Sequence, residues 1–376
     1  MAAQVTNYKC PACGGPLHFA GDSGRIECEY CDSSFEVAEI EAIYAEKDAK
    51  AAETAAEEAR KAEEYAKDET NWDTSGLTNE WGSDGEGMKA YTCPSCGAEI
   101  ICDSTTVATS CAYCGNPSIV PGQFSGTLKP DYVIPFKLSK DDATKALKKH
   151  YGKKPLLPKV FSEANHIEEV KGVYVPFWMF DAKAEGIVTF EATRSRSHTA
   201  GGYRVTETDH FDVVREGSLN FEKVPVDAQS KMPDDYMDSI EPYDYADLKP
   251  FSAAYLPGYM ADKYDVSAED CFERADNRCK GSFVSSMKDT VKGYASCTQK
   301  TSYIRLNRGK VYYALMPVWL LNTKWNDKDF LFAMNGQTGK LVGDLPVSTK
   351  RAFALFAKIV LPLIAIGVAA VLWLMS

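Results

Sequence analysis

The spacing of apolar and polar positions changes several times along the chain, and each change predicts a different element. Residues 36–69, EVAEIEAIYAEKDAKAAETAAEEARKAEEYAKDE, are strong helix formers without glycine or proline, which predicts one helix on the order of 50 Å long. Its large apolar residues, Val37, Ile40, Ile43 and Tyr44, cluster at the start. Beyond them only alanine fills the would-be seam until Tyr65, so the expected element is a solvated acidic spacer rather than a coiled coil. Residues 70–90 carry glycines at 76, 82, 85 and 87 among acidic and polar residues, the composition of a flexible linker. Trp72 and Trp81 are unusual there. They either pack back onto a folded domain or form a docking motif.

From 128 to 347 the pattern turns to short apolar strands with proline punctuation and a few helices. Residues 132–138, YVIPFKL, read as a strand, and Ser139 followed by Asp142 caps a helix running to about Tyr151. The signal returns at Ser267 and Asp270. Each cap is followed later by a Pro-x-Trp strand, at Pro176–Trp178 and Pro317–Trp319, which suggests a divergent duplication of a strand–helix–sheet unit. Residues 328–345 predict a hairpin around Asn335, Gly336 and Gly339. Residues 232–264 are rich in tyrosine, methionine and proline; their rings either complete the core of this β-rich domain or present a protein-contact surface.

Residues 352–375, AFALFAKIVLPLIAIGVAAVLWLM, are apolar on every face. The unbroken run after Lys358 has 17 residues; with Ala352–Ala357, and Lys358 reaching up to the headgroups, the stretch has 24, enough for a bilayer core. Lys350, Arg351 and Lys358 on its N-terminal side predict that the preceding domains are cytoplasmic and that this is a C-terminal anchor in the cell membrane.

Cysteine spacing adds the chemistry. Cys10, Cys13, Cys28 and Cys31 form two CxxC pairs separated by fourteen residues; Cys93, Cys96, Cys111 and Cys114 repeat the arrangement 83 positions later. The match extends to Tyr8/Tyr91, Pro11/Pro94, Gly14/Gly97 and Tyr30/Tyr113, so one small module is used twice. In each CPxCG turn two thiolates face one ion, and Gly14, Gly97, Gly115 and Asp32 supply the left-handed residue that such a knuckle needs. Four thiolates complete a tetrahedral shell and leave no open position, which predicts two structural zinc ions, with rubredoxin-like iron as the alternative metal. Cys102 is spare within the second module, and Cys271, Cys279 and Cys297 are expected to be buried thiols rather than a third site. The start of the chain, MAAQVTNYKC, lacks the basic and apolar regions of a signal peptide, which places the thiols in a reducing compartment.

The predicted fold is therefore a multidomain α+β chain. It has zinc ribbon 1 at 1–35, the helical spacer at 36–69, the linker at 70–90 and zinc ribbon 2 at 91–127. The β-rich domain at 128–347 and the transmembrane helix at 352–375 follow. Charge bears on the partners. The net charge is −11, but residues 1–127 hold 22 acidic and 8 basic side chains against 31 and 34 in the remainder. An acidic ribbon region repels a phosphate backbone, so nucleic acid is an unfavoured ligand.

Enzyme signatures fail one by one. Residues 336–341, GQTGKL, only mimic a phosphate loop, because Met334 stands where glycine is needed and Leu341 where magnesium needs a hydroxyl. The histidines at 18, 150, 166, 198 and 210 form no HExxH, and no GxSxG is present. His198 and His210 flank a predicted hairpin turn as surface residues. The expectation is a non-enzymatic protein with no catalytic residue and no small-molecule substrate.

Taken together, YKCPACG, YTCPSCG, the acidic helix, KGVYVPFWMFDA, YLPGYMADKYDV, PVWLLNTKWNDKDFLFAMNGQTGKLVGDLP and the terminal anchor resemble a family of bacterial membrane zinc-ribbon proteins, often labelled TFIIB-type or primosomal-helicase-like from the ribbon alone. The resemblance spans nearly the whole chain, and members are typically encoded beside phage-shock-type and SPFH-domain (flotillin-like) proteins. It implies a membrane-resident scaffold that recruits such cytoplasmic proteins in envelope stress, with a companion membrane protein as a further expected partner. The helicase label has no ATPase motif behind it. Two other readings stay open at this point: a membrane-tethered nucleic-acid-binding ribbon protein, and a lipid or peptide sensor acting through the β-rich domain.

Overall fold

In a computed structural model the described residues are 8–65, 69–106, 108, 110–122, 128–152, 154–158, 161, 169–200, 203–326 and 328–375. His166, the end of the predicted spacer at 66–68 and the end of the predicted second ribbon at 123–127 lie outside them, as does the side chain of His198. The chain forms two units. The first comprises Met1–Glu69, Glu185–Gly217 and Ser286–Arg305, the second Thr70–Ala184, Ser218–Ser285 and Leu306–Ser376.

The first unit opens with a three-stranded antiparallel sheet, β1 (Leu17–Ala20), β2 (Arg25–Cys28) and β3 (Ser34–Phe35), in that order. Helix α1 (Val37–Tyr65) follows after one residue. Its first turns are held where the apolar residues cluster: Ile40 is fully buried, and the Tyr44 hydroxyl accepts from Lys9 N at 2.7 Å while its ring meets Tyr8 edge-on at 4.9 Å. Its last turns are held by polar contacts, Lys61 Nζ to Glu216 at 2.5 Å and the Tyr65 hydroxyl to Glu216 at 2.9 Å. Ile40 and Ala62 are its only buried residues, so the alanine-rich middle faces water as its composition requires. Apart from residues 286–295, the rest of this unit is β-structure, and side-chain hydroxyls meet across its strands: Thr193 with Ser296, Ser195 with Thr208, and Ser197 with Thr206.

The second unit is built on a mixed sheet. Its path runs β10 (Lys249–Pro250), β7 (Tyr132–Val133), β12 (Ser296–Trp325), β8 (Lys171–Ala200), β11 (Met260–Asp262), β5 (Glu99–Cys102), β4 (Lys89–Thr92), β6 (Val120–Gly122). Strand β9 (Tyr203–Asp227) adds to β8, and the hairpin β13 (Lys328–Asn335) with β14 (Leu341–Gly343) adds to β12. Strands β8, β9 and β12 supply residues to both units.

The apolar runs of β8 and β12 have a structural reason: both faces of the sheet are covered. Val173, Val175, Phe177 and Met179 of β8, with Ala314, Met316, Val318 and Leu320 of β12, point into one core, shared with α3 (Asp234–Ile240). The intervening Trp319 and Leu321 point into the other, under α2 (Lys140–Gly152), where Ala143, Leu147 and Tyr151 line one helical face. The caps foreseen for the two helices are present. Ser139 and Asp142 hydrogen-bond reciprocally ahead of α2, and Ser267 bonds Asp270 ahead of α4 (Phe272–Asp289).

Each cap is tied to a distant strand in the same way. Trp178 Nε1 donates to Val266 O at 3.0 Å, just before Ser267, and Trp319 Nε1 donates to Leu138 O at 3.2 Å, just before Ser139. The short strands ahead of the helices cross over: β7 lies parallel to β12, and β11 lies parallel to β8.

One expectation changes here, and one open alternative closes. Residues 70–90 are not a free linker but a strap on the second unit. Trp72 is buried, its ring edge-on to Phe180 at 4.8 Å and its N–H donating to Asp276. Trp81 donates to Leu128 O and meets Phe251 edge-on. Indole burial outweighs the chain entropy that the glycines would otherwise retain. In the tyrosine-rich segment Met232, Tyr236, Met237 and Tyr243 are buried, so the core reading holds for them. Residues 336–341 form the β13–β14 turn, where Asn335 Oδ1 accepts from the amides of Gln337 and Thr338. Helix α5 (Thr349–Met375) is apolar, with Pro362 inside it, and none of its spanning window is buried. It is a candidate membrane anchor.

Candidate metal centres

The four knuckles fold alike because the same short backbone ring closes in each. The amide of Gly14 donates to Cys10 O at 2.8 Å, Asp32 to Cys28 O at 3.0 Å, Gly97 to Cys93 O at 2.8 Å and Gly115 to Cys111 O at 3.2 Å. Each closing residue has positive φ: 78° at Gly14, 54° at Asp32, 74° at Gly97 and 70° at Gly115. Aspartate tolerates that region better than most side chains, which is why one knuckle manages without glycine.

These turns bring Cys10, Cys13, Cys28 and Cys31 into one group and Cys93, Cys96, Cys111 and Cys114 into another, with all sulfurs of a group within 4.8 Å of one another. Closest approaches are 3.6 Å for Cys10–Cys31, 3.4 Å for Cys13–Cys28, 3.5 Å for Cys93–Cys114 and 3.6 Å for Cys96–Cys111. A tetrahedron with metal–sulfur bonds of about 2.3 Å needs sulfurs about 3.8 Å apart, whereas a disulfide needs about 2.05 Å. The spacing fits a shared ion, and all twelve cysteines are free thiols. The backbone and hydroxyl of Ser33 hold the Cys31 thiol down to about 6. At Cys93 burial acts against ionisation, but the amides of Cys96 and Ser95 outweigh it and bring the thiol to about 7. In the same clusters the Cys13 and Cys96 thiols are raised in turn, so each cluster ionises at one sulfur first and an ion must displace the protons of the others. Four thiolates fill a tetrahedral shell, so an ion here has structural rather than substrate-binding chemistry.

The surroundings of the two clusters differ. In the first, Cys13 and Cys31 are exposed and Tyr30, inside the second knuckle, is 63% exposed. In the second, strand β5 pairs with β11, Ile100 opposite Asp262 and Ile101 opposite Ala261. Ile100, Ile101 and Cys102 are all buried. This cluster is thus a section of the large sheet rather than a free-standing module over 91–127. Tyr113, the counterpart of Tyr30, is 5% exposed and donates its hydroxyl to Asp262 Oδ2 at 2.7 Å. Burial raises the Tyr113 phenol and pushes Asp262 up to about 7, despite donation to the carboxylate by Tyr113 and Gln229. The backbone of this knuckle is gripped as well: Asn322 donates to Tyr113 O, and Lys171 Nζ donates to Ser110 O at 3.1 Å and Cys111 O at 3.3 Å.

Sequence reasoning did not single out Asp262, Gln229, Lys171 or Asn322. The available signal was the contrast between EIIC at 99–102 and LHFA at 17–20: one strand is apolar enough to be buried, the other is not. Of the remaining cysteines, Cys102, Cys271 and Cys279 are buried, and burial lifts their thiols to about 11, 12 and 12, whereas Cys297, expected to be buried, is only half-buried near the start of β12. His210 is exposed beside Glu191, and His18 faces Glu29.

No family model matches the chain, and no solved structure matches it. Among curated proteins it is 35% identical over 319 residues to a Bacillus subtilis (strain 168) protein described as "Uncharacterized protein YdjG", an alignment covering 72% of this chain and 94% of that one.

Proposed function

The chain belongs to the family of the Bacillus subtilis protein YdjG, and on that footing we propose that it is a membrane-anchored adaptor holding two structural zinc ions and presenting its first ribbon to cytoplasmic proteins. The observation that carries this reading is the pairing of an unburied apolar helix at 349–375 with an exposed four-cysteine module mounted on the 29-residue helix α1. A structural metal site that stabilised only the core would have no reason to stand on a solvated helix. The face around it carries Lys9 and Arg25 against Asp22, Glu27, Glu29 and Asp32. This suits a protein surface with basic patches better than a nucleic acid. The partners proposed are SPFH-domain and phage-shock-type proteins of an envelope-stress response, together with the C-terminal anchor that keeps the ribbons on the cytoplasmic side. The crossed Trp178 and Trp319 contacts support descent of the second unit from a duplicated strand–helix element.

The test has two arms. Elemental analysis of the full chain is expected to give two zinc ions, falling to one in Cys10→Ser and to one in Cys93→Ser; iron, or one ion in the unmutated chain, overturns the metal assignment. Capture of partners from solubilised native membranes is expected to yield cytoplasmic proteins with the wild type and to fail with Cys10→Ser. Undiminished capture by that variant removes ribbon 1 from the interface.

A further inference from the structure

The second unit joins the proposed anchor at a particular place. Ser348 N donates to Leu156 O at 2.9 Å, and the Arg351 guanidinium donates to Leu157 O. Leu157 is buried in the core beneath α2. The first turn of α5 is therefore bonded to the loop that follows α2, and the anchor emerges from the unit beside the end of that helix.

Helix α2 is basic on its outer side. Ala143, Leu147 and Tyr151 face the core, while Lys145, Lys148 and Lys149, spaced three and four residues apart, are exposed on the opposite side. Lys154 is exposed just beyond the helix. Among the described residues, none of these four lysines forms an ion pair. Helix α4, capped in the same manner, shows the alternative. Its Arg274 pairs with Asp227 and Asp238, both at 2.6 Å, and its Arg278 with Glu241 at 2.5 Å. One helix pairs its Arg274 and Arg278 with acidic groups, and the other, among the described residues, leaves its outer lysines without an ion pair where the anchor starts.

We infer that the outer face of α2 is a docking surface for anionic phospholipid headgroups, held against the bilayer by the bonds from Ser348 and Arg351 to the 156–157 loop. The inference rests on α5 being a membrane anchor. With Arg351 at headgroup depth, a helix ending a few residues from Leu157 lies within the layer where the surface potential of an anionic leaflet acts. There each lysine contributes on the order of a fivefold gain in association. The acidic residues of α2, Asp141 and Asp142, sit in its first turn, where the charge of Lys145 acts on Asp142 and Asp142 also accepts from Ser139; Lys148, Lys149 and Lys154 lie further along, toward the anchor.

The full chain, reconstituted into nanodiscs of equal phosphatidylglycerol and phosphatidylcholine and released into detergent, would have its retained lipids counted by native mass spectrometry. The wild type is expected to retain phosphatidylglycerol at least tenfold over phosphatidylcholine. The triple variant Lys145→Gln/Lys148→Gln/Lys149→Gln is expected to lose that preference, while Lys47→Gln/Lys50→Gln/Lys288→Gln, with the same change of charge elsewhere, keeps it. Insertion with equal retention of both lipids, or equal loss in the two variants, overturns the docking surface and leaves the anchor standing. A chain that enters no nanodisc of either composition overturns the anchor and the inference together.

Discussion

The two four-cysteine clusters share ligand spacing, knuckle geometry and the tyrosine inside the second knuckle, yet one is a surface module and the other is part of a core. Tyr30 faces water where Tyr113 is buried against Asp262. Strand β1 ends its sheet, whereas β5 continues into β11. The lesson is that a metal knuckle fixes only its own dozen or so atoms. The strand between its cysteine pairs decides whether the module stands alone or is absorbed. An ion in the first cluster organises a small sheet; an ion in the second also secures the edge of the large one.

The largest expected effect tests that difference directly. All six tryptophans, at 72, 81, 178, 319, 325 and 373, lie in the second unit, so their emission in a urea titration reports that unit alone. Cys93→Ser is expected to destabilise it by on the order of 4 kcal/mol, because an incomplete thiolate shell releases the ion that secures the sheet edge. Cys10→Ser is expected to shift the same transition by less than about 1 kcal/mol. Equal effects would mean that the clusters are structurally equivalent after all.

A pH titration sharpens the contrast. Burial holds Asp262 at about 7 in the folded chain, against an ordinary 3.8. The folded state therefore keeps a proton that the unfolded state gives up. The stabilisation due to this group is full below about pH 4 and is lost as pH rises to about 7. The difference in unfolding free energy between wild type and Asp262→Asn should change by a few kcal/mol across that window. A flat difference would show that the carboxyl is ionised throughout.

The smallest effect compares the paired tyrosines. Tyr113→Phe removes a donor from a buried carboxyl and is expected to cost about 1–3 kcal/mol, whereas Tyr30→Phe should stay within about 0.5 kcal/mol. Denaturant midpoints measured at one pH decide it.

What the sequence disclosed was local. CxxC spacing grouped the eight cysteines, Ser139 with Asp142 and Ser267 with Asp270 marked the helix starts, the 335–339 stretch marked a hairpin, and apolarity marked α5. What stayed hidden depends on partners far apart in the chain. Nothing near residue 132 says that it will lie beside 314, or that 260 will lie beside 173. Around Tyr113 the acidic Glu27, Glu29 and Asp32 that surround Tyr30 give way to Ser110, Ala112 and Gly115, but nothing local names β11 as the strand that brings Asp262 to it. The 70–90 strap was hidden for the same reason: glycine content speaks for freedom, while Trp72 is fixed by Phe180 and Asp276 from distant segments.

The crossed strands also bear on how the chain is made. Strand β7 and the start of α2 wait for β12 and Trp319, about 180 residues further on, which at ordinary translation speeds of roughly 5–20 residues per second is a delay of about ten seconds or more. Until then the segments around 132–138 have no lasting place, and they need shelter from aggregation. When β12 does appear, α5 begins only 24 residues after Trp325. Completion of the sheet and emergence of α5, the candidate anchor, therefore fall at nearly the same moment of synthesis.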